Sequence, residues 1–306
     1  MSSPEIPFVK GHGTENDFVL VADPDAALDL GPDEVAAICD RRAGIGGDGL
    51  IRAVRATAVA DAPAGAEWFM DYRNSDGSIA EMCGNGVRVF AEFLLVEGHL
   101  PAEAGDGRWI GIGTRAGVKR LRREDDGRWT ADMGSWSVVG GEDALGRGAD
   151  AIVEVPGLDV PRPGLSLDLG NPHTVVALAS AEELDRAELH RAPSVDPVPP
   201  NGTNVELVVP LDAVDLDGDA TPDIGEIRMR VHERGSGETR SCGTGACAAA
   251  LATRAWAGEG APDVWRVEVP GGDLVVTVGQ GSSATAGSVY LTGPAVLVAR
   301  GVLGGL

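Results

Sequence analysis

Cys83 and Cys242 each open a Cys-Gly-x-Gly turn, MCGNG at residues 82–86 and SCGTG at residues 241–245. The first continues VRVFAEFLLVEG and the second ACAAALATRAWAG, runs of small and apolar residues that suit helices. Each motif therefore predicts a tight glycine turn that sets a cysteine at the first turn of a helix. The unpaired N–H groups and positive dipole end there favour a thiolate. A cysteine so placed is expected below its usual pKa of ~8.5. One such cysteine suggests a nucleophile; two, one in each half of the chain, suggest a pair working across a shared cleft. A thiolate on one face of a carbon can remove a proton while a thiol on the other delivers one, which inverts that carbon. Such a pair must hold unequal charge, one S⁻ and one SH, with coupled titrations. The helix N-termini can also hold a carboxylate and the negative charge that builds on it. No lysine motif points to pyridoxal phosphate, and no cofactor is expected.

Composition sets the frame for these residues. A chain of 306 residues predicts two domains of about 150 each. It is 43% hydrophobic but only 4% aromatic, so its cores must rest on Val, Leu, Ile and Ala. The net charge of −22 repels nucleic acid and anionic membranes and excludes both as partners. Cys39, Cys83, Cys242 and Cys247 are too sparse for a disulfide framework and lack Cys-x-x-Cys spacing, so no metal site is expected. The first residues show no signal pattern, and no run approaches the ~18 apolar residues of a membrane span. A reduced, cytoplasmic, soluble protein is expected.

Short Val-rich strands bounded by Gly, Pro and Asp recur, at FVLVAD, LIRAVRA, AIVEVPG, NVELVVP, EIRMRVHE, WRVEVP, DLVVTV and VYLTGPAVLVARG. Few precede a helix long enough for a crossover, which favours antiparallel or mixed sheets. Helices are expected at GPDEVAAICDRR, after Gly86, after Gly245 and at SAEELDRAEL. The order strands, helix, strands, helix after Cys-Gly-x-Gly occurs twice and implies two similar α+β halves. Residues 134–148, rich in Gly, Asp and Arg, have the composition of a linker. Residues 59–67, 192–200 and 212–223 have that of surface loops.

Some patterns point away from other chemistries. GIGGDG at residues 44–49 spells a dinucleotide fingerprint but follows a helix and opens a strand, the reverse of what that fold needs. Acids at Asp215, Asp217, Asp219, Asp223 and Glu226 follow calcium-loop spacing, but Ala220 occupies the required Gly position. A solvated hairpin loop is expected there. His12, His173 and His232 sit beside candidate motifs without metal-ligand spacing, which favours hydrogen bonding or pKa tuning. Cys39 and Cys247 fall at apolar helical positions and are expected to be buried structural residues.

The motifs KGHGTENDF (10–18), RRAGIGGDG (41–49), YRNSDGSIAEMCGNGVR (72–88), GNPH (170–173), GTNVE (202–206), HERGSGETRSCGTGACAA (232–249) and VPGG (269–272) span nearly the whole chain. In them the chain resembles the diaminopimelate epimerase family. The resemblance implies cofactor-independent epimerisation of LL-2,6-diaminopimelate to the meso isomer, in lysine and peptidoglycan precursor synthesis. It implies an α+β fold of two pseudo-symmetric domains, each a mostly antiparallel or mixed sheet wrapped around a central helix. Residues 1–133 with 294–306 would form one domain, carrying Cys83, and 134–293 the other, carrying Cys242. Cys83 and Cys242 would be the base and acid. Asn16, Asn74, Asn171, Asn204, Glu233 and Arg234 would bind substrate, with the turns at Gly84, Asn85, Gly243 and Thr244 on the reacting carboxylate. His173 and Glu233 would tune the cysteine pair. Asn suits a substrate with two ammonium and two carboxylate groups, since it donates to one and accepts from the other without adding charge, and Arg234 can clamp a carboxylate.

The chain departs from some relatives in three places. Gly49 stands where some carry a substrate-contacting Gln, so that contact is absent or replaced. Thr14 and Glu15 replace a common Leu-Gly beside Asn16. Ala299 stands where some have a Tyr at a dimer contact, which leaves a homodimer open. Two other readings share the paired cysteines: a racemase of the proline racemase or hydroxyproline epimerase kind, and a non-catalytic amino-acid-binding or redox-sensing protein.

Overall fold

The computed structural model describes residues 5–211, 214 and 223–304. The chain divides into two compact units, residues 1–131 with 293–306, and residues 132–292.

The first unit opens with a hairpin, β1 (Ile6–Gly13) and β2 (Asn16–Ala22). Its two turn residues, Thr14 and Glu15, have φ of 48 and 61. Positive φ at both positions gives the turn twist that suits a tight hairpin, here without Gly or Asn. Then follow α1 (Pro32–Cys39), β3 (Gly49–Arg55), β4 (Trp68–Asn74), α2 (Gly84–Val96), β5 (Ile110–Thr114), β6 (Gly117–Arg123) and β7 (Trp129–Val138). β1–β2, β3–β4, β5–β6 and β6–β7 pair antiparallel, while β2–β3 and β4–β5 pair parallel.

The second unit contains α3 (Gly141–Arg147), β8 (Ala151–Glu154), β9 (Arg162–Asp168), β10 (Pro172–Ala177), α4 (Ala181–Arg186), β11 (Ser194–Asp196), β12 (Asn204–Pro210), β13 (Ile224–Glu233), β14 (Gly237–Thr239), α5 (Gly243–Ala257), β15 (Val264–Val269), β16 (Gly272–Val278) and β17 (Ala286–Gly293). Here β9–β10, β12–β13, β15–β16 and β16–β17 pair antiparallel, and β10–β12 and β13–β15 parallel. The last strand, β18 (Val296–Leu303), pairs antiparallel with β1 and so belongs to the first unit.

The two units repeat one pattern of pairings. β1, β2, β3, β4, β5, β6 and β7 correspond in order to β9, β10, β12, β13, β15, β16 and β17. α1 and α4 occupy the same place, as do α2 and α5. In each copy the strands wrap the helix that follows the cysteine. Val87, Val89, Phe90, Ala91 and Leu94 of α2 are buried, as are Ala246, Ala248, Ala249, Ala250 and Leu251 of α5. A helix apolar on every side is one that is covered on every side. The two-unit α+β fold expected from the sequence is the fold observed.

Some local expectations need correction. Residues 134–148 are not a linker. They contain the end of β7 and all of α3, because buried Met133, Trp136 and Val138 pin the strand despite its glycines. Residues 192–200, expected as loop, contain the short strand β11. The segment VYLTGPAVLVARG is two strands, β17 and β18, split by Pro294 and Ala295. Of the acidic stretch with calcium-loop spacing, residues 215–222 lie outside the described residues. No helix among the described residues is long and apolar enough to cross a membrane.

Candidate active site

In the first unit Cys83 is the N-cap of α2, its φ and ψ still extended, and its Sγ accepts from the Gly86 amide at 3.4 Å. The expectation of a cysteine at the first turn of a helix holds, with the sulfur in the place of a capping oxygen. Cys83 Sγ is also 3.4 Å from Asn16 Oδ1, which accepts from Asn85 Nδ2 at 3.3 Å. Asn16 Nδ2 donates to Asp48 Oδ2 at 2.7 Å, which fixes the orientation of its amide. Asp48 is in turn ion-paired with Arg41. Behind the turn, fully buried Arg88 donates to the Gly84 carbonyl and to Asn85 Oδ1. Asn74 ends β4 and donates to Ser78 Oγ at 3.0 Å, in a turn that touches Asp48 where Ser75 N–H donates to its carbonyl. Asn16, Cys83, Gly84 and Asn85 thus form one network, and the Asn74 turn meets it at Asp48. Gly49 is buried at the start of β3. A Cβ there would stand 2.6 Å from the Tyr72 ring and closer still to the Arg73 carbonyl, so this position has no room for a side chain.

In the second unit Cys242 caps α5 in the same way, its Sγ accepting from the Gly245 amide at 3.4 Å. Thr244 Oγ1 is 3.6 Å from that sulfur and accepts from Asn171 Nδ2 at 3.3 Å. Glu233 ends β13, takes a hydrogen bond from Thr239 and is hydrogen-bonded to Cys242. Asn204 accepts from the Arg234 amide at 2.9 Å and donates to the Pro172 carbonyl. The Arg234 guanidinium itself is turned to the Asn201 carbonyl. His173 and Glu206, both fully buried, meet at 2.7 Å through Nδ1 and Oε1. His173 Nε2 and Glu206 Oε2 have no hydrogen-bond partner among the described residues. Glu206 lies against the first turn of α5: a Cβ on Gly245 would be 2.7 Å from its Oε1 and 3.3 Å from the Cys242 sulfur.

The expectation of a lowered pKa at both helix starts is corrected at Cys242. Burial pushes its thiol well above the usual value, and the Glu233 and Glu206 carboxyl groups add to the rise. The Thr244 and Gly245 hydrogen bonds oppose it and lose. Glu233 is likewise raised, chiefly by burial, against the hydrogen bonds from Thr239 and Cys242. A helix N-terminus lowers a thiol pKa only if burial and neighbouring acids do not outweigh it. Cys39 and Cys247 are buried as expected, and burial lifts Cys39 to about 11. His12 and His232 bond to backbone groups, the Glu15 amide and the Leu189 carbonyl. Glu206 and Asp48 escaped the sequence reading. The available signal at Glu206 was a carboxylate inside NVELVVP, a strand buried on both faces.

A family model described as diaminopimelate epimerase matches residues 8–139 and 165–298. The chain belongs to the diaminopimelate epimerase family. A Streptomyces coelicolor member, named diaminopimelate epimerase, is 48% identical over 98% of this chain and 96% of its own. A Thermobifida fusca member of the same name is 44% identical over 96% of each chain. Among solved structures, a hydroxyproline epimerase from Agrobacterium vitis superposes with a TM-score of 0.62 at 16% identity, over 99% of this chain and 94% of that one. A Bacillus anthracis protein of the phenazine biosynthesis PhzF family also gives 0.62 at 16% identity, over 98% of this chain and 99% of that one. At that identity these two share the fold alone.

Proposed function

We propose that this chain epimerises LL-2,6-diaminopimelate to the meso isomer without a cofactor, with Cys83 and Cys242 as base and acid. The observation that carries the reading is the repeat itself: the same strand order delivers a cysteine cap to the same helix start twice, in a chain of this family. A thiolate takes the α-proton from one face of the carbon. The electron pair moves into the adjacent carboxylate, and the opposite thiol returns a proton to the other face. One cysteine ends protonated and the other ionised, so the reverse reaction starts from the exchanged pair. The amides of Gly84–Asn85 and Gly243–Thr244, at the positive helix ends, hold the carboxylate and the charge that builds on it. Asn16, Asn74, Asn171, Asn204, Glu233 and Arg234 bind the rest of the substrate. Without a side chain at Gly49, other groups must supply what a Gln contacts elsewhere. The reading places the protein in the cytoplasm, where thiols stay reduced.

The test is incubation of the reduced protein with LL-diaminopimelate in D₂O, followed by NMR. Loss of the α-proton signal with appearance of the meso isomer is expected. Exchange with proline but not with this substrate would move the assignment to the racemases. No exchange with any amino acid would leave a binding or redox protein.

A further inference from the structure

The two copies of the repeat differ in what stands behind each cysteine. In the second copy the first residue pair between β10 and β12 is His173 with Asn204, and Glu206 lies opposite Val175. In the first copy the matching pair between β2 and β3 is Phe18 with Gly49, and Ile51 lies opposite Leu20. Ile51 therefore occupies the place of Glu206, and Phe18 that of His173. The contacts agree: Ile51 Cδ1 stands 3.3 Å from where a Gly86 Cβ would be, as Glu206 Oε1 stands 2.7 Å from that of Gly245. Five residues after each cysteine, the buried position is Arg88 in α2 and Cys247 in α5. The same backbone is thus backed by two apolar side chains and a cation in one copy, and by a carboxylate and an imidazole in the other.

We propose that Glu206, braced by His173, is a positioning residue that keeps Cys242 as the thiol, so that Cys83 is the first of the two to ionise. The inference rests on the epimerase reading only for its meaning in turnover. A carboxyl group beside a sulfur opposes a thiolate, and burial strengthens the opposition. Glu233 acts in the same direction, and His173 favours the ionised form of Glu233. Other charged groups on the strands around α5 are engaged elsewhere: Arg162 with Glu183, Asp168 with the Gly170 amide, Arg228 with Glu268, Arg230 with Glu238, and Arg266 with Glu226 and Asp273. Around α2, Lys10 pairs with Asp17, Arg41 with Asp17 and Asp48, Arg123 with Glu92, Arg300 with Glu97, and Arg52 with Asp23 and Asp71. Asn16 Oδ1 faces the Cys83 sulfur and favours its thiol, but as a neutral dipole against the carboxyl groups that Cys242 meets.

The experiment is pH-dependent alkylation of the reduced, substrate-free protein by iodoacetamide, with each cysteine followed by peptide mass spectrometry. Cys83 is expected to react at lower pH than Cys242. In Glu206→Gln, which keeps the shape and the bond to His173, the Cys242 midpoint is expected to fall by about one pH unit while that of Cys83 stays in place. Cys242 reacting first would overturn the proposal, and so would an unmoved Cys242 midpoint in Glu206→Gln. The order of midpoints in the unaltered protein tests which cysteine ionises first even if that variant fails to fold; Glu206→Asp, which draws the carboxyl back by one methylene, then tests Glu206 itself, and an unmoved Cys242 midpoint there would overturn its role. Since no substrate is present, failure here leaves the D₂O exchange result untouched, and the reverse also holds.

Discussion

The side-chain oxygen of Asn16 lies 3.4 Å from the sulfur of Cys83, and Asp48 prevents that amide from turning over. A flipped amide would aim its oxygen at the Asp48 carboxylate, so the sulfur meets an acceptor. Asn16→Asp replaces this dipole with a charge. The expected outcome is a rise of about one pH unit in the Cys83 alkylation midpoint, with a matching loss of epimerisation at pH 7. Cysteine-resolved alkylation checks the first effect and substrate turnover the second.

Each inversion needs a group on both faces of the carbon. Cys83→Ala and Cys242→Ala are each expected to lower turnover by at least about a hundredfold, the lower range for losing a general acid or base. Circular dichroism of both variants should match the parent, since each helix keeps its Gly-x-Gly turn. Near-normal turnover in either variant would defeat the two-cysteine mechanism.

Restoring the side chain that some relatives carry at position 49 is not a route to higher activity in this chain. Gly49→Gln would force a Cβ against the Tyr72 ring and the Arg73 carbonyl. Overpacking of this kind costs roughly 1–3 kcal/mol. The melting temperature is expected to fall by several degrees, at about 2–4 °C per kcal/mol for a domain of this size. Calorimetry measures it directly.

Acid should unfold the first unit through Asp71. Burial opposes its charge, but Arg115, then Arg52 and Arg73, hold its carboxyl below the usual range. A carboxyl lowered on folding stabilises the fold above its unfolded pKa of about 4 and loses that contribution as pH falls through the folded value. The urea midpoint should therefore be level near neutrality and drop below about pH 4. Asp71→Asn leaves Arg52 and Arg115 without this carboxylate. It is expected to cost roughly 3 kcal/mol at pH 7 and to flatten the acid limb.

The parts of this molecule legible in sequence are those set by local spacing. Gly84 and Gly86, and Gly243 and Gly245, bracket a helix start whatever surrounds them, so both cysteine caps could be placed. α1 showed its Pro32 and first-turn acids, and α4 its Ser180 cap. What depended on pairing between distant strands was not legible. Glu206 meets His173 only because β10 and β12 run parallel, and nothing within either segment says so. The raised pKa at Cys242 followed the same rule, since the helix start was local and the acids that overrule it were not. Residues 134–148 misled for the opposite reason. Their composition was that of a linker, while Trp136 and Val138 already carried the alternation of a strand.

The pairing of β18 with β1 also sets an order of events during synthesis. The first unit needs a strand that follows all of residues 132–292 in the chain. At about 5–20 residues per second, β1 waits roughly 15–60 s on the ribosome with one edge unpaired. The second unit can complete its own strand pairings in that interval. An N-terminal fragment released early would expose the β1 edge, a ready template for association with other chains.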